Sequence, residues 1–304
     1  MMHLTTRTRV FPGIALTVIA GLALTSCAAA DAEPEAGEQP TSDAGSIAVV
    51  QAAADLLPDA ISEAGVLRVA IPTNEPPTQF YREGTEEMTG LNPDMAALVA
   101  GALGLELEVV VSNFDSIIPG LAADRFDMTV SSMTPTEERM EQLDFVDYVD
   151  MGSALVVAAG NPAEVDVDAL CGARVGVLTG SYQLTVKIPA LNEACAEAGG
   201  EPLEIQQFQD TRQAISSLGS GRSDAVYADG PILSYAALQN PDIEVAGELD
   251  VSPVGIGVPK ASGLIDAVGA AMAAIIESPE YLEVLGSYGL EAMALEEARI
   301  NFPQ

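Results

Sequence analysis

The stretch Val130-Ser131-Ser132-Met133-Thr134-Pro135-Thr136-Glu137-Glu138-Arg139 gathers the hydroxyls of Ser131, Ser132 and Thr134 and one guanidinium within ten residues. It reads as a strand end turning into a helix. Thr134 is a good N-cap, Pro135 falls at the first helical position where its missing N–H costs nothing, and Glu137 completes a Thr-x-x-Glu capping box. The turn then presents hydroxyls, free backbone N–H groups at a positive helix terminus and, one turn later, Arg139, whose planar fork matches a carboxylate. That is a receptor for a small anion. The same letters also suit a capped surface helix carrying a solvated arginine, and the elements around the stretch decide between the two.

From Ala53 the chain alternates helices and strands. Strands are predicted over Val66 to Ile71, Glu106 to Val111 and Met128 to Val130, with helices over Ala53 to Glu63, Asp94 to Ala102 and Ser116 to Ala123. A second series follows, with strands over Arg174 to Leu178, Glu204 to Phe208 and Ala225 to Ala228. Its helices are Gln183 to Ala198, broken or kinked near Pro189, then Thr211 to Leu218 and Pro231 to Gln239. The β-α-β order implies an α/β fold with mostly parallel strands and helices on both faces. Ile118, Leu121, Arg125 and Asp127 recur as Ile215, Leu218, Arg222 and Asp224, at a constant offset of 97. Carried forward, the offset sets Ser132 opposite Asp229, each just past a strand end, where open α/β sheets bind ligands. One half then offers an anion receptor and the other a carboxylate, which together fit a molecule carrying both a carboxylate and an ammonium. The later strand Val254 to Val258 and helices Leu264 to Glu277 and Pro279 to Gly286 have no counterpart in the second series. Returning them to the first domain gives two crossings, near Tyr148 to Ser153 and near Leu249 to Val254, and two connecting strands make a hinge.

Composition narrows the function classes. The formal charge is −33, Lys187 and Lys260 are the only lysines, and no basic cluster occurs, which argues against nucleic acid as a partner. Met1 to Ser26 carries Arg7 and Arg9 before an apolar run and reads as an export signal; the other reading is an uncleaved membrane anchor. Leu24-Thr25-Ser26-Cys27 resembles the bacterial lipobox, which implies lipidation of Cys27 and attachment to the outer face of the cell membrane. Ala28 to Ser46 has no aromatic residue and no apolar periodicity, as expected of a flexible acidic tether. Export suits a disulfide between Cys171 and Cys195, the alternative being two buried thiols. His3, in the signal, is the only histidine, so no Cys/His metal site is expected, nor any cofactor.

An ordered series of motifs resembles the family 3 extracellular solute-binding proteins, which deliver polar amino acids to ABC transporters and have the type II periplasmic-binding-protein fold. The motifs are Gly65-Val66-Leu67-Arg68-Val69, Gly90 to Asp94, Ile117 to Leu121, Ser131 to Arg139, Leu143-Asp144-Phe145, Val175 to Ser181, and Gly221-Arg222-Ser223-Asp224-Ala225 running to Asp229. The resemblance implies two α/β lobes joined by a two-stranded hinge, with the ligand cleft between them. The expected organisation is an export signal over 1–26, a tether over 27–52, a first lobe from 53–150 plus 253–304, and a second lobe over 151–252. It further implies that Arg139, Ser132 and Thr134 hold a ligand α-carboxylate, that Asp229 takes the α-ammonium, and that Ser181 adds a carboxylate contact from the far side. Tyr182 stands where the family has a small hydroxyl residue, which puts that far-side contact in question. Phe114 falls either against the ligand side chain or in the core. Glu75, in Thr73-Asn74-Glu75-Pro76-Pro77, occupies a position where many relatives have an aromatic residue. Aimed into the cleft it favours a cationic group; the alternative is an exposed loop acid. The leading function is a monomeric, lipid-anchored, non-catalytic receptor that hands an amino acid or derivative to membrane permease subunits. Binding of ectoine or an opine-like zwitterion is one alternative. An exported enzyme resembling cyclohexadienyl dehydratase is another.

Overall fold

Two residues, Pro58 and Gly65, organise the start of the folded chain. The computed structural model describes residues 47–302, so the expected signal, Cys27 and the tether up to residue 46 lie outside the described residues. Residues 47–52, expected as the end of the tether, belong to the fold instead. Ile47 and Val50 pack against the first core, and the Val50 N–H donates to the Ala102 carbonyl at 2.8 Å. Removing two branched apolar side chains from water accounts for the earlier start. The single helix expected over Ala53 to Glu63 is two short ones, α1 (Gln51–Ala54) and α2 (Asp59–Ala64). Pro58 occupies the N-cap of the second, since proline cannot donate within a continuous helix. Gly65, at φ +67°, ends it in the left-handed conformation that glycine adopts without strain.

The first half continues with β1 (Val66–Ile71), the small hairpin β2 (Phe80–Tyr81) and β3 (Met88–Thr89), then α3 (Leu91–Leu103), β4 (Glu106–Val111), α4 (Ile117–Ala122), β5 (Met128–Met133) and α5 (Glu137–Met140). The long strand β6 (Leu143–Ala158) leads into the second half. There follow β7 (Arg174–Leu178), α6 (Ile188–Glu197), β8 (Glu204–Phe208), α7 (Thr211–Gly219), β9 (Ala225–Asp229) and α8 (Gly230–Gln239). The equally long β10 (Ile243–Pro259) returns the chain, and α9 (Ile265–Ile276) and α10 (Pro279–Ser287) complete it. Pro189 lies at the start of α6, directly after a π-helical turn over Gln183–Lys187, so the predicted break is a change of helix type.

The strands hydrogen-bond in the order β4-β1-β5-β10-β6-β9-β7-β8. Each half contributes three parallel strands, β4-β1-β5 and β8-β7-β9, with the first of each series in the centre. Between them β6 and β10 run antiparallel over their whole length, from Pro259↔Leu143 to Ile243↔Ala158. Register shifts between Glu248 and Val251 and between Val254 and Gly255 fall in the expected crossing region. Bulges bend a strand locally, which is what two strands shared by two cores require.

Two hydrophobic masses flank this pair. Leu67, Val69, Leu91, Met95, Val130 and Ile256 are joined in one by Met272, Ile275, Tyr281 and Leu285, so α9 and α10 do return to the first half. Leu155, Val157, Val175, Val177 and Tyr227 build the second, and Ala154, Val156, Leu218, Val226 and Leu233 cover its other face. The repeat seen in the letters is also a repeat of chemistry. Arg68 on β1 donates from its backbone N–H (2.8 Å), Nε (3.2 Å) and an Nη (2.6 Å) to Asp127. Arg174 on β7 makes the same three bonds to Asp224, at 2.9, 3.1 and 2.5 Å. Each fork fixes the first strand of its half to the chain entering the third. Cys171 and Cys195 form a disulfide, with Cα atoms 5.5 Å apart. Among the described residues no helix is long and apolar enough to cross a membrane.

Candidate functional site

The parallel strands of both halves end at one cavity. β5 brings Ser131, Ser132 and Thr134, and the short α5 brings Arg139. The loop after β1 contributes Glu75, and the turn after β4 contributes Phe114. From the second half come Ser181, Tyr182 and Gln183 after β7, Thr211 at the start of α7, and Asp229 at the end of β9. All eight ligand-contact residues expected from the sequence therefore line one space. The space between these side chains, open mouth included, is about 380 Å³.

The local structure around Arg139 differs from the expected turn. β5 runs on through Met133, paired with Gly255 of β10, and the helix that follows has four residues. Its N-cap is Thr136, whose hydroxyl accepts the Arg139 N–H at 3.3 Å, so the predicted Thr134 cap and its box with Glu137 do not form. The reason lies in the side chain at the end of the turn. Arg139 donates one Nη–H to the Thr134 carbonyl at 2.7 Å, which holds that carbonyl outside the helix, and the first helical carbonyl is that of Thr136. The cavity thus meets the Arg139 guanidinium and the hydroxyls of Ser131, Ser132 and Thr134, without a helix terminus at Thr134.

Arg139 is 7% exposed. Its second bond crosses the cavity, from the other Nη to the Gly180 carbonyl at 2.8 Å, and its guanidinium carbon lies 5.4 Å from the Phe114 ring centroid. Burial lowers its pKa to about 10, opposed by the carboxylate of Asp229, so it stays cationic at neutral pH. Phe114 lines the cavity and also joins the core cluster of Ile117, Leu121 and Phe145.

Asp229 accepts a hydrogen bond from Gln183 Nε2 at 2.9 Å, and the same nitrogen donates to Ser153 Oγ at 3.0 Å. Burial raises the Asp229 pKa to about 6 against the lowering effects of Gln183 and Arg139. A cation beside it would restore the charged form. Ser181 accepts the Leu184 N–H at 3.2 Å and so opens the π-helical turn, while the Tyr182 ring covers the cavity with Lys187 Nζ 5.4 Å from its centroid. π-Helical turns recur at functional sites, and this one aims Gln183 inward.

Glu75 is 3% exposed and lines the cavity, which excludes the solvated loop acid. It is not free, however. Oε1 accepts the Thr211 hydroxyl at 2.7 Å and the Thr211 N–H at 3.3 Å, and Oε2 accepts Gln79 Nε2 at 2.5 Å. Burial is the largest influence on it and raises its pKa to about 7, against the lowering effect of Thr211. Behind Glu75 runs a buried relay. Ser132, at φ +53°, donates its N–H to Tyr148 Oη at 3.1 Å, and Tyr148 donates to Asn92 Oδ1 at 2.7 Å. Asn92 Nδ2 donates to Ser132 Oγ and to Gln79 Oε1. The relay ties the hydroxyl end of the cavity to its carboxylate end through Tyr148, which stands on β6.

Sequence reasoning missed Gln183, Thr211, Gln79, Asn92 and Tyr148. Asn92 carried a signal, a lone amide within the apolar helix Leu91-Asn92-Pro93-Asp94-Met95-Ala96-Ala97-Leu98, fully buried in the structure. Gln183, Thr211 and Tyr148 join the site only through contacts far apart in the chain, and Gln79 through a tight turn that returns it to Glu75. Among the described residues no group of three or more His, Cys, Asp or Glu side chains is placed to hold a metal ion.

This geometry has counterparts. The arginine-binding protein ArgT of Corynebacterium glutamicum is 30% identical over 248 residues, 81% of either chain. An ancestral arginine-binding protein, solved bound to arginine, superposes with a TM-score of 0.66 at 31% identity, covering 74% of this chain and 98% of that one. An ancestral amino acid-binding protein described as a precursor of cyclohexadienyl dehydratase superposes with a TM-score of 0.64 at 26% identity, over 76% and 98% of the two chains. Residues 67–291 match the bacterial extracellular solute-binding proteins, family 3. With that match over most of its length, and with two parallel-stranded halves closing on one cavity, the chain belongs to that family.

Proposed function

We propose that this protein is an extracytoplasmic receptor of an ABC importer that captures a cationic amino acid between two lobes. The lobes are residues 47–150 with 253–302, and 151–252; β6 and β10 form the hinge. Arg139, with Ser132 and Thr134, receives the α-carboxylate, and Asp229, oriented by Gln183, receives the α-ammonium. Ser181, Tyr182 and Phe114 close the walls, and Glu75 faces the side-chain cation. The observation that carries this reading is the charge inventory of the cavity. One guanidinium and two carboxyls give it a net charge of −1 when both acids are ionised, which a ligand of charge +1 neutralises. The arginine-binding relatives support the same class.

Lipidation of Cys27 would hold a monomeric receptor at the outer face of the cell membrane, next to its permease; loss of membrane partition in Cys27→Ala tests the anchor. A thermal-shift panel of amino acids, polyamines, ectoines and opines tests the ligand class. A ligand at 100 to 1,000 times its dissociation constant adds about 3 to 4 kcal/mol to stability. Stabilisation by arginine, lysine or ornithine is the expected result, and a response confined to ectoines or opines moves the ligand to a cyclic or substituted zwitterion.

A second reading has two observations in its favour. A buried carboxyl with a pKa of about 7 can serve as a general acid, and one neighbour is described as a dehydratase precursor. The binding reading expects no release of product from prephenate or arogenate; sustained turnover of either assigns the enzyme.

A further inference from the structure

Glu75 and Thr211 belong to different halves, 136 residues apart, yet Thr211 supplies two of the three hydrogen bonds that fix the Glu75 carboxylate. The third comes from Gln79, at the end of the relay within the first half. The halves meet here at further points, because Asn74 Nδ2 donates to Asp210 Oδ2 at 3.5 Å and Asn113 Nδ2 to Gln209 Oε1 at 3.3 Å. Asp210 in turn caps α7 by accepting the Gln213 N–H at 2.8 Å, so the first turn of α7 presents Thr211 rigidly to Glu75.

We infer that Thr211 is a positioning residue for ligand specificity: it locks the Glu75 carboxylate, so that the cation subsite is complete only when the two halves meet. This rests on the reading of the cavity as a cationic amino acid site. The Thr211 N–H, the Thr211 hydroxyl and Gln79 Nε2 all donate to the Glu75 carboxyl oxygens, which suits an ionised carboxylate. Asp229 on β9 and Asp210 before α7 face Glu75 with like charge and oppose ionisation, and burial opposes it further. The donors of Thr211 lie on the other side of that balance. Their loss leaves a carboxyl that is harder to ionise and free to rotate. A neutral ligand side chain has no use for that charge, so its binding is spared.

The test uses the full-length protein with Thr211→Val, which exchanges the hydroxyl for a methyl group of similar size, and Thr211→Ser, which keeps it. Calorimetric titrations with L-arginine and L-glutamine at pH 8 read specificity. Carbon-13 NMR of the labelled Glu75 carboxyl reads its titration without ligand. The expected result for Thr211→Val is a loss of L-arginine affinity of about tenfold to a hundredfold, the range of one hydrogen bond to a charged group. L-Glutamine affinity stays within about threefold, the Glu75 midpoint moves to higher pH, and Thr211→Ser restores both. Equal losses for the two amino acids overturn the inference and leave Thr211 a general closing contact. An unmoved Glu75 midpoint overturns it too. Wild-type protein that binds neither amino acid refutes the ligand reading instead, and the NMR titration still decides the role of Thr211.

Discussion

Exchanging Arg139 for lysine separates charge from geometry at the heart of the cavity. Arginine has five N–H donors. Two are engaged with the Thr134 and Gly180 carbonyls at 2.7 and 2.8 Å, which leaves three. A lysine carries three donors on one nitrogen; serving the same two carbonyls leaves it one. Arg139→Lys therefore keeps the positive charge opposite Asp229 and loses one of the two bonds a carboxylate can receive. A hydrogen bond between charged groups contributes about 1.5 to 3 kcal/mol, so affinity should fall about tenfold to 150-fold. Arg139→Ala also removes the charge and strands the ligand carboxylate, at a cost of about 3 to 5 kcal/mol. Isothermal titration with L-arginine at pH 8 measures both variants, and thermal unfolding without ligand confirms that each is folded. Lysine equal to wild type, or alanine within threefold of it, would remove Arg139 from the clamp.

Three further outcomes follow from the same geometry. Affinity for L-arginine, followed from pH 8 to pH 5, should be greatest at the upper end. Burial raises Glu75 to about 7 and Asp229 to about 6, and a bound cation lowers both, so the complex holds fewer protons and affinity declines as pH falls through 7 and then 6; a flat profile contradicts this. Glu75→Gln should weaken cationic ligands by roughly tenfold or more while leaving neutral ones nearly unchanged, as read in a competition assay, and equal losses would show that Glu75 does not select charge. Opening the Cys171–Cys195 bridge, which spans 24 residues of sequence, should lower unfolding stability by about 3 kcal/mol in urea titrations with and without reductant; coincident curves refute that contribution.

The strands were legible because central parallel strands are covered on both faces and so read as apolar runs, as in Val66 to Ile71 and Arg174 to Leu178. The match of Asp127 with Asp224 was also visible, and the structure supplies its cause in the arginine forks of Arg68 and Arg174. Ser132 and Asp229 were found from the offset of 97 and Thr134 and Arg139 from the turn after β5, whereas Glu75, Phe114, Ser181 and Tyr182 came from the resemblance to the family's motifs. What escaped depends on pairing at a distance. Thr136 and Thr134 are equally good caps by their letters, and only the reach of Arg139 back to the Thr134 carbonyl decides between them. Tyr148 reads as one more apolar residue in a strand until its hydroxyl meets Ser132 and Asn92. Thr211 reads as an ordinary first helical residue until the opposite half brings Glu75 to it.

The most direct test is a calorimetric titration of the purified protein with L-arginine and, in parallel, L-glutamine at pH 8. A cavity with one guanidinium and two carboxylates should give saturable one-to-one binding of L-arginine, and L-glutamine should bind at least tenfold more weakly for want of a partner to Glu75. Equal affinity for the two amino acids, or heat from neither, would contradict the account of this cavity as a clamp for a cationic amino acid.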